Sequence, residues 1–406
     1  MKESVGIVSG STRPSRLVRL IHIGFILIGV VNTLLGPILP LLSVRWRLDD
    51  TQAGSLFFVQ SVAAIVGSAL TGPLIRRFGF RSLLIGGFGL MSASTACLGF
   101  GSRGLGVIWI SGVGLSLGLT IPTINLLISE LNPTRRAAAL NLLNLAWGVG
   151  AVTGPVLIPT LARATGLSFA LIIVAMPVAL IATFVARSAG SLLIDPPDES
   201  GEPVPRSTAA RLWLRPYPLL TAALVFVNIG TESAMGGWIA SYVQRLAPSS
   251  QLSWAAAPSL FWAGLLAGRA AAPVILRHVR EVKMVLFGMF VAAGGMLVVL
   301  LSSATGLVLL GVSLAGLGLA PAFPTTIALF TGRFGRDAAR LTGTLFMLAG
   351  LGAAVFPWIV GAASTHYHGL RVGLIVPLVG GLLMLAIHGA IMATLSRDGA
   401  VGGERE

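Results

Sequence analysis

The chain has 406 residues, of which 55% are A, V, I, L, M, F, W, Y or C and only 10% are charged, against roughly 25% charged in ordinary soluble domains. With a mean hydropathy of +0.89, it has too few polar side chains to clothe a globule of this size, which excludes a soluble or secreted enzyme. The net charge of +14, carried by 28 basic residues of which only Lys2 and Lys283 are lysine, reads as arginine in short loops beside membrane spans, so no nucleic-acid partner is expected. The single Cys97 cannot form an internal disulfide and excludes centres built on several thiolates.

In chain order, a basic and polar stretch over 1–16 leads straight into the first apolar run and reads as a tail, not a removable leader. Apolar runs then recur near 17–42, 52–75, 82–101, 105–129, 137–162 and 168–188. A second set follows near 216–244, 253–276, 283–303, 305–330, 340–364 and 371–394. Each is long enough to cross a bilayer as helix. The one long polar connection, 189–215, holds Pro196, Pro197, Pro203 and Pro205 among acids and arginines, the composition of a linker. The expected architecture is an all-α membrane protein of twelve transmembrane helices. It divides into an N-terminal half (17–188) and a C-terminal half (216–394), with a tail over 395–406.

Charge orients the spans. With the N-terminus inside, the inner segments hold 21 Lys and Arg and the outer loops six, with Arg269 inside a span. Both termini are therefore expected in the cytoplasm, with the chain in the cell inner membrane. The halves also repeat. An offset of 200 places Gly36 on Gly236, Ala63 on Ala263, Pro73 on Pro273 and Arg77 on Arg277; an offset of 202 places Pro122 on Pro324, Gly150 on Gly352 and Pro155 on Pro357. Matched residues fall in the same order in corresponding spans. Parallel six-span halves with a solute site between them are a transporter architecture.

The loop after the second span reads Gly72-Pro-Leu-Ile-Arg-Arg-Phe-Gly79-Phe-Arg81, which resembles the signature loop of the major facilitator superfamily. Arg76 stands where that signature usually carries an acid. Spans 4 and 5 carry Gly112, Gly114, Gly118, Asn125, Asn132-Pro133, Arg135-Arg136, Asn141, Asn144, Trp147-Gly148, Gly150 and Gly154-Pro155. Span 7 adds Asn228, Gly230, Glu232, Gly236-Gly237-Trp238 and Tyr242. This series is similar to the fucose–proton symporter family and its animal glucose-transporter relatives, and the resemblance implies a secondary transporter of a small polar solute, most simply a monosaccharide. The acids that proton-coupled fucose transporters use in spans 1 and 4 are not found at the comparable places. Gly154-Pro155 also resembles a motif of drug exporters, but Ile158 and Pro159 stand where that motif continues with glycines.

Of fourteen acids, Glu232 alone lies well inside a span, where a carboxylate is costly unless it has a task. It is the candidate proton-coupling residue. Candidate substrate-binding residues are Asn32, Gln60, Asn125, Asn141, Asn144, Trp147, Asn228, Trp238, Tyr242 and Trp262. Amides supply donors and acceptors for vicinal hydroxyls, and an indole face suits the C–H side of a sugar ring. Candidate gating residues are Glu130, Arg77, Arg81, Arg135, Arg136 and Arg269. No Gly-rich phosphate cradle ending in Lys-Ser or Lys-Thr occurs, so an ATP-driven pump is not expected. Neither a paired-carboxylate nor a histidine–acid constellation lies within the spans, so no enzyme, metal or cofactor is expected. The expected partners are a sugar-like solute, a coupling proton and the lipid bilayer, with the chain working as a monomer. A proton-driven exporter of lipophilic solutes and an uncoupled sugar facilitator stand as alternatives.

Overall fold

Every long apolar run becomes helix, because in hydrocarbon each backbone N–H and C=O must be satisfied within its own segment. A computed structural model describes residues 13–187, 213, 215–334 and 338–403, and among these the chain is helical without a strand. The N-terminal half comprises α1 (Arg13–Asn32), α2 (Leu35–Trp46), α3 (Asp50–Leu98), α4 (Arg103–Leu131), α5 (Arg136–Thr165) and α6 (Leu167–Arg187). The C-terminal half comprises α7 (Pro216–Leu246), α8 (Gln251–Ile275), α9 (Glu281–Leu301), α10 (Thr305–Leu319), α11 (Ala322–Phe334), α12 (Ala338–His366), α13 (Leu370–Gly373) and α14 (Ile375–Gly403).

Local chemistry explains where helices and crossings fail to coincide. At 49 residues, α3 would be about 74 Å long, more than twice the hydrocarbon thickness of about 30 Å. It must fold back, and it does so at Gly79, whose φ of 76° and ψ of 165° suit a residue without Cβ. The first crossing is made by α1 and α2 together, bent by 41° at Thr33 and Leu34. Pro37 has no N–H to give the Thr33 carbonyl, so the ladder opens there. Residues 305–334 form one crossing from α10 and α11, broken before Pro321. Twelve crossings result.

The two halves are built alike. A β-carbon at Gly150 would collide with the Ile26 carbonyl, and one at Gly352 with the Phe226 carbonyl. Likewise Gly114 packs on the Gln60 carbonyl and Gly316 on the Phe261 carbonyl. Such small-residue seams let helix backbones touch where no hydrophobic effect drives them together. Apolar side chains such as Phe169, Phe287 and Leu301 face outward, 65%, 71% and 75% exposed, as a surface solvated by lipid requires. Twelve crossings return the chain to the face on which it began, here the terminal face; the opposite one is the distal face. The expected tail over 1–16 and linker over 189–215 lie mostly outside the described residues, and 404–406 do so entirely. The last helix runs on to Gly403, past the expected span end at 394.

Candidate transport site

The halves meet along α2–α7, α3–α12 and α5–α8. On the distal side this seam is shut. At Gly36 a β-carbon would stand 2.7 Å from the Gly236 carbonyl, so the broken first span crosses α7 at backbone contact. Gly54 lies against Pro357 and Trp358. At the distal rim Arg245, in the last turn of α7, grips Asp50, in the first turn of α3, through two bonds of 2.8 and 2.5 Å. The Ser364 hydroxyl donates to the same carboxylate at 2.5 Å, and the Thr51 N–H donates to Thr365 Oγ1 at 2.9 Å. The carboxylate also sits at the favourable positive end of α3.

On the terminal side of this closure lies a set of polar and aromatic side chains. Trp147 of α5 and Trp262 of α8 meet edge to face, with ring centroids 5.6 Å apart and planes at 88°. One turn nearer the terminal face on α8, Leu266 packs on Gly148, the residue after Trp147. Below that contact, α5 presents Asn144 and Asn141, both exposed, on the Gly148 face. Arg269 extends the Trp262–Leu266 stripe of α8 in the same direction. Glu232 lies one turn below Gly236 on α7, and its Oε2 stands 3.8 Å from the Arg269 guanidinium. Glu232 is only 8% exposed. Its Oε2 and Arg269 Nε are buried without a hydrogen-bond partner. Asn125 on α4 is half-buried and donates to the Ile121 carbonyl at 2.9 Å.

Other candidate residues sit elsewhere. Trp238, expected in the cavity, is fully buried in the distal closure and donates its indole N–H to the Pro357 carbonyl at 2.8 Å. Tyr242 is buried too, donating to the Val299 carbonyl at 3.3 Å and accepting from Arg371 Nε at 3.1 Å. Both act as fasteners because their polar tips find backbone or arginine partners away from solvent. Asn228 is buried between α7 and α14, its amide 3.9 Å from the Met384 sulfur. Gln60 lines a void of about 10 Å³ with Val31, Leu34, Leu35, Leu98, Ile110 and Val113, barely room for one water. Asn32 is half-buried at the break between α1 and α2.

The expected gating residues of the terminal side act within one half in this state. Glu130 pairs with Arg136 at 3.8 Å, tying α4 to α5. Arg81 donates to the Ala186 carbonyl at the end of α6. Arg77 lies over the Phe78 ring at 5.1 Å, and Arg135 is exposed. Among the described residues, the ion pair that joins the halves is Asp50–Arg245, which was not among the sequence candidates. Its two members are 195 residues apart, and no local pattern links them.

Known proteins place this architecture. The profile of the Major Facilitator Superfamily matches residues 21–357. The chain is similar to a glucose/galactose transporter of Brucella abortus biovar 1 (strain 9-941), 25% identical over 372 residues, covering 87% of this chain and 89% of that one. Over a shorter stretch of 123 residues it is 30% identical to the 4-hydroxybenzoate transporter PcaK of Pseudomonas putida, covering 30% of this chain and 27% of that one. Among solved structures, a bacterial homologue of the human lysosomal transporter Spinster, inward-facing and occupied, superposes with a TM-score of 0.75 at 14% identity, covering 96% of this chain and 99% of that one. A D-xylose–proton symporter superposes with a TM-score of 0.70 at 16% identity, covering 92% and 97%. These two share the fold. The chain belongs to the major facilitator superfamily and is a membrane transporter, not an enzyme.

Proposed function

We propose that this transporter carries a monosaccharide together with a proton across the inner membrane. The observation that carries the reading is Glu232, a buried carboxyl deep in a span with one oxygen free of any hydrogen bond, 3.8 Å from the partly exposed Arg269 guanidinium. A carboxyl so placed can take and release a proton as access alternates. Asn125, Asn141 and Asn144 would hold hydroxyls, and the Trp147–Trp262 pair would cover the apolar face of the ring. The 25% identical relative is a glucose/galactose transporter, which supports a sugar. The terminal face is taken as cytoplasmic on the basic-residue asymmetry, so the structure represents the inward-open state. The halves then rock about the seam, and Glu130, Arg77, Arg81, Arg135 and Arg136 become available for closure on that face. The chain works as a monomer, since the site lies between halves of one chain.

The test is uptake by proteoliposomes of the purified protein with a panel of labelled monosaccharides, with and without an imposed pH gradient. Accumulation of a sugar that follows the gradient is the expected result. Sugar uptake indifferent to the gradient would make the protein a facilitator. Movement of lipophilic cations with no sugar moving would make it an exporter.

A further inference from the structure

Glu232 and Arg269 are poorly arranged for a purely structural ion pair. Their nearest atoms are 3.8 Å apart, beyond hydrogen-bonding distance. Glu232 Oε2 and Arg269 Nε lack any hydrogen-bond partner. Well-packed apolar residues of the same volume often stabilise a protein as much as a buried ion pair or more, so stability alone gives little reason for this one. The two side chains also differ in access: counted on side-chain atoms alone, Arg269 is 30% exposed and Glu232 11%. The guanidinium is therefore the member that a solute reaches first. It lies on the stripe of α8 that carries Trp262 and Leu266 toward α5, level with the exposed Asn144. A guanidinium offers five donors and no acceptor, in a fork that fits a carboxylate.

We propose that Arg269 is the anchor for a substrate carboxylate, so that the solute is a sugar bearing one acid group, a uronate or aldonate. Glu232 holds that place when the site is empty. This deepens the monosaccharide–proton reading and rests on it. The charges balance as follows. In the empty site Glu232 neutralises Arg269. An arriving carboxylate brings a second negative charge that one guanidinium does not neutralise. A proton from the aqueous side forms the O–H of Glu232, the substrate carboxylate takes over the fork, and solute anion and proton cross together with no net charge. A neutral hexose has hydroxyl acceptors but no anionic group to take the place of Glu232 on Arg269.

The other charged or titratable side chains described on neighbouring elements face elsewhere. On α14, His388 turns to the Val282 backbone of α9. Arg333 of α11 lies over the Tyr217 ring at the terminal end of α7. Arg45 of α2, Arg163 of α5 and His366 of α12 stand near the distal ends of their helices, as does Arg245 on α7, bound to Asp50; Arg136 begins α5 beside Glu130. Among the described residues, the ion pair that Glu232 makes is with Arg269.

The decisive comparison is D-glucose against D-glucuronate and D-gluconate in proteoliposomes, under an imposed pH gradient, with the membrane potential first clamped at zero and then made inside-negative. One of the acids should enter at least about tenfold faster than glucose, the scale expected of a charge-assisted bidentate contact, and its rate should ignore the potential. Arg269→Lys keeps the charge but loses the fork, and should raise KM for the acid by about tenfold or more while the protein still elutes as a single species. Glu232→Gln should retain exchange of internal for external acid and lose gradient-driven accumulation. Glucose entering as fast as the acids, or an unchanged acid KM in Arg269→Lys, would overturn the anchor and leave proton–monosaccharide transport standing. Acid uptake that carries current would overturn the charge balance. Failure of both acids to move while another monosaccharide of the panel accumulates would overturn the anchor alone; failure of the whole panel and of both acids would overturn both readings.

Discussion

Trp147, Trp238 and Trp262 are the same side chain in equally apolar stretches, and only their surroundings separate them. Trp238 has its indole N–H bonded to the Pro357 carbonyl and its ring fully buried beside Phe57, whose centroid is 6.3 Å away. Trp147 and Trp262 are half-buried and face each other across the seam. Trp238→Ala should therefore cost about 3–5 kcal/mol of stability, read as a lower unfolding temperature in detergent. Asn144→Ala and Trp262→Ala should leave unfolding close to wild type and weaken substrate binding instead. Loss of stability in Asn144→Ala with no change in affinity would remove it from the site. In the sequence all these residues qualified alike, because residue type and depth say whether a side chain can bind a hydroxyl but not which way it points. Glu232 stood out since burial of a carboxylate is costly wherever it points. Its partner Arg269 is the one arginine or lysine away from a span end, a position that marks a gate as readily as half of a pair.

At the scale of elements, hydropathy made the crossings legible, and glycine and proline marked their interruptions. Gly79 lay in the loop placed between the second and third spans, and there the continuous α3 turns back. Which helices lie side by side was less legible. The repeat alignment matched Gly150 with Gly352 without saying that each seats a carbonyl of its half's first helix. The long tail of α14 was missed, since polarity in 395–406 says little about backbone conformation. Gly79 permits a clean test, because a β-carbon there would meet nothing within 4 Å. The cost of Gly79→Ala is then conformational alone, about 1–3 kcal/mol for a non-glycine residue in that φ/ψ region. Gly86→Ala, seven residues on in the same helix and equally uncrowded, should cause no loss. Equal unfolding temperatures for the two variants would show that the turn tolerates a side chain.

At the scale of the whole molecule, the state seen is set by a distal seam that is closed twice. An inner layer of backbone contact joins Gly36 to Gly236 and Gly54 to Pro357, and an outer layer joins Asp50 to Arg245 and Ser364. The inner layer is van der Waals contact without charge, whereas the outer layer is a carboxylate held by three donors at the water boundary. Alternating access requires both layers to part, and the ion pair must be exchanged for water when they do. Its charge-assisted bonds, with the arginine half-exposed, should favour the closed seam by about 1–3 kcal/mol, a shift of roughly 5- to 150-fold in the ratio of the two states. Cys97 is the lone cysteine, so Cys97→Ser clears the chain for spin labels at Phe100 and Leu252, which are exposed at the distal ends of opposite halves. In this background Asp50→Asn and Arg245→Gln should each move the label distance distribution toward longer separations. The exchanged pair Asp50→Arg with Arg245→Asp should move it back, because the attraction depends on opposite sign and not on which helix carries which charge. Single variants with an unaltered distribution would show that the glycine layer alone holds the distal side shut. A double variant that stays open would show that Ser364 and the α3 N-terminus need the carboxylate on their own side.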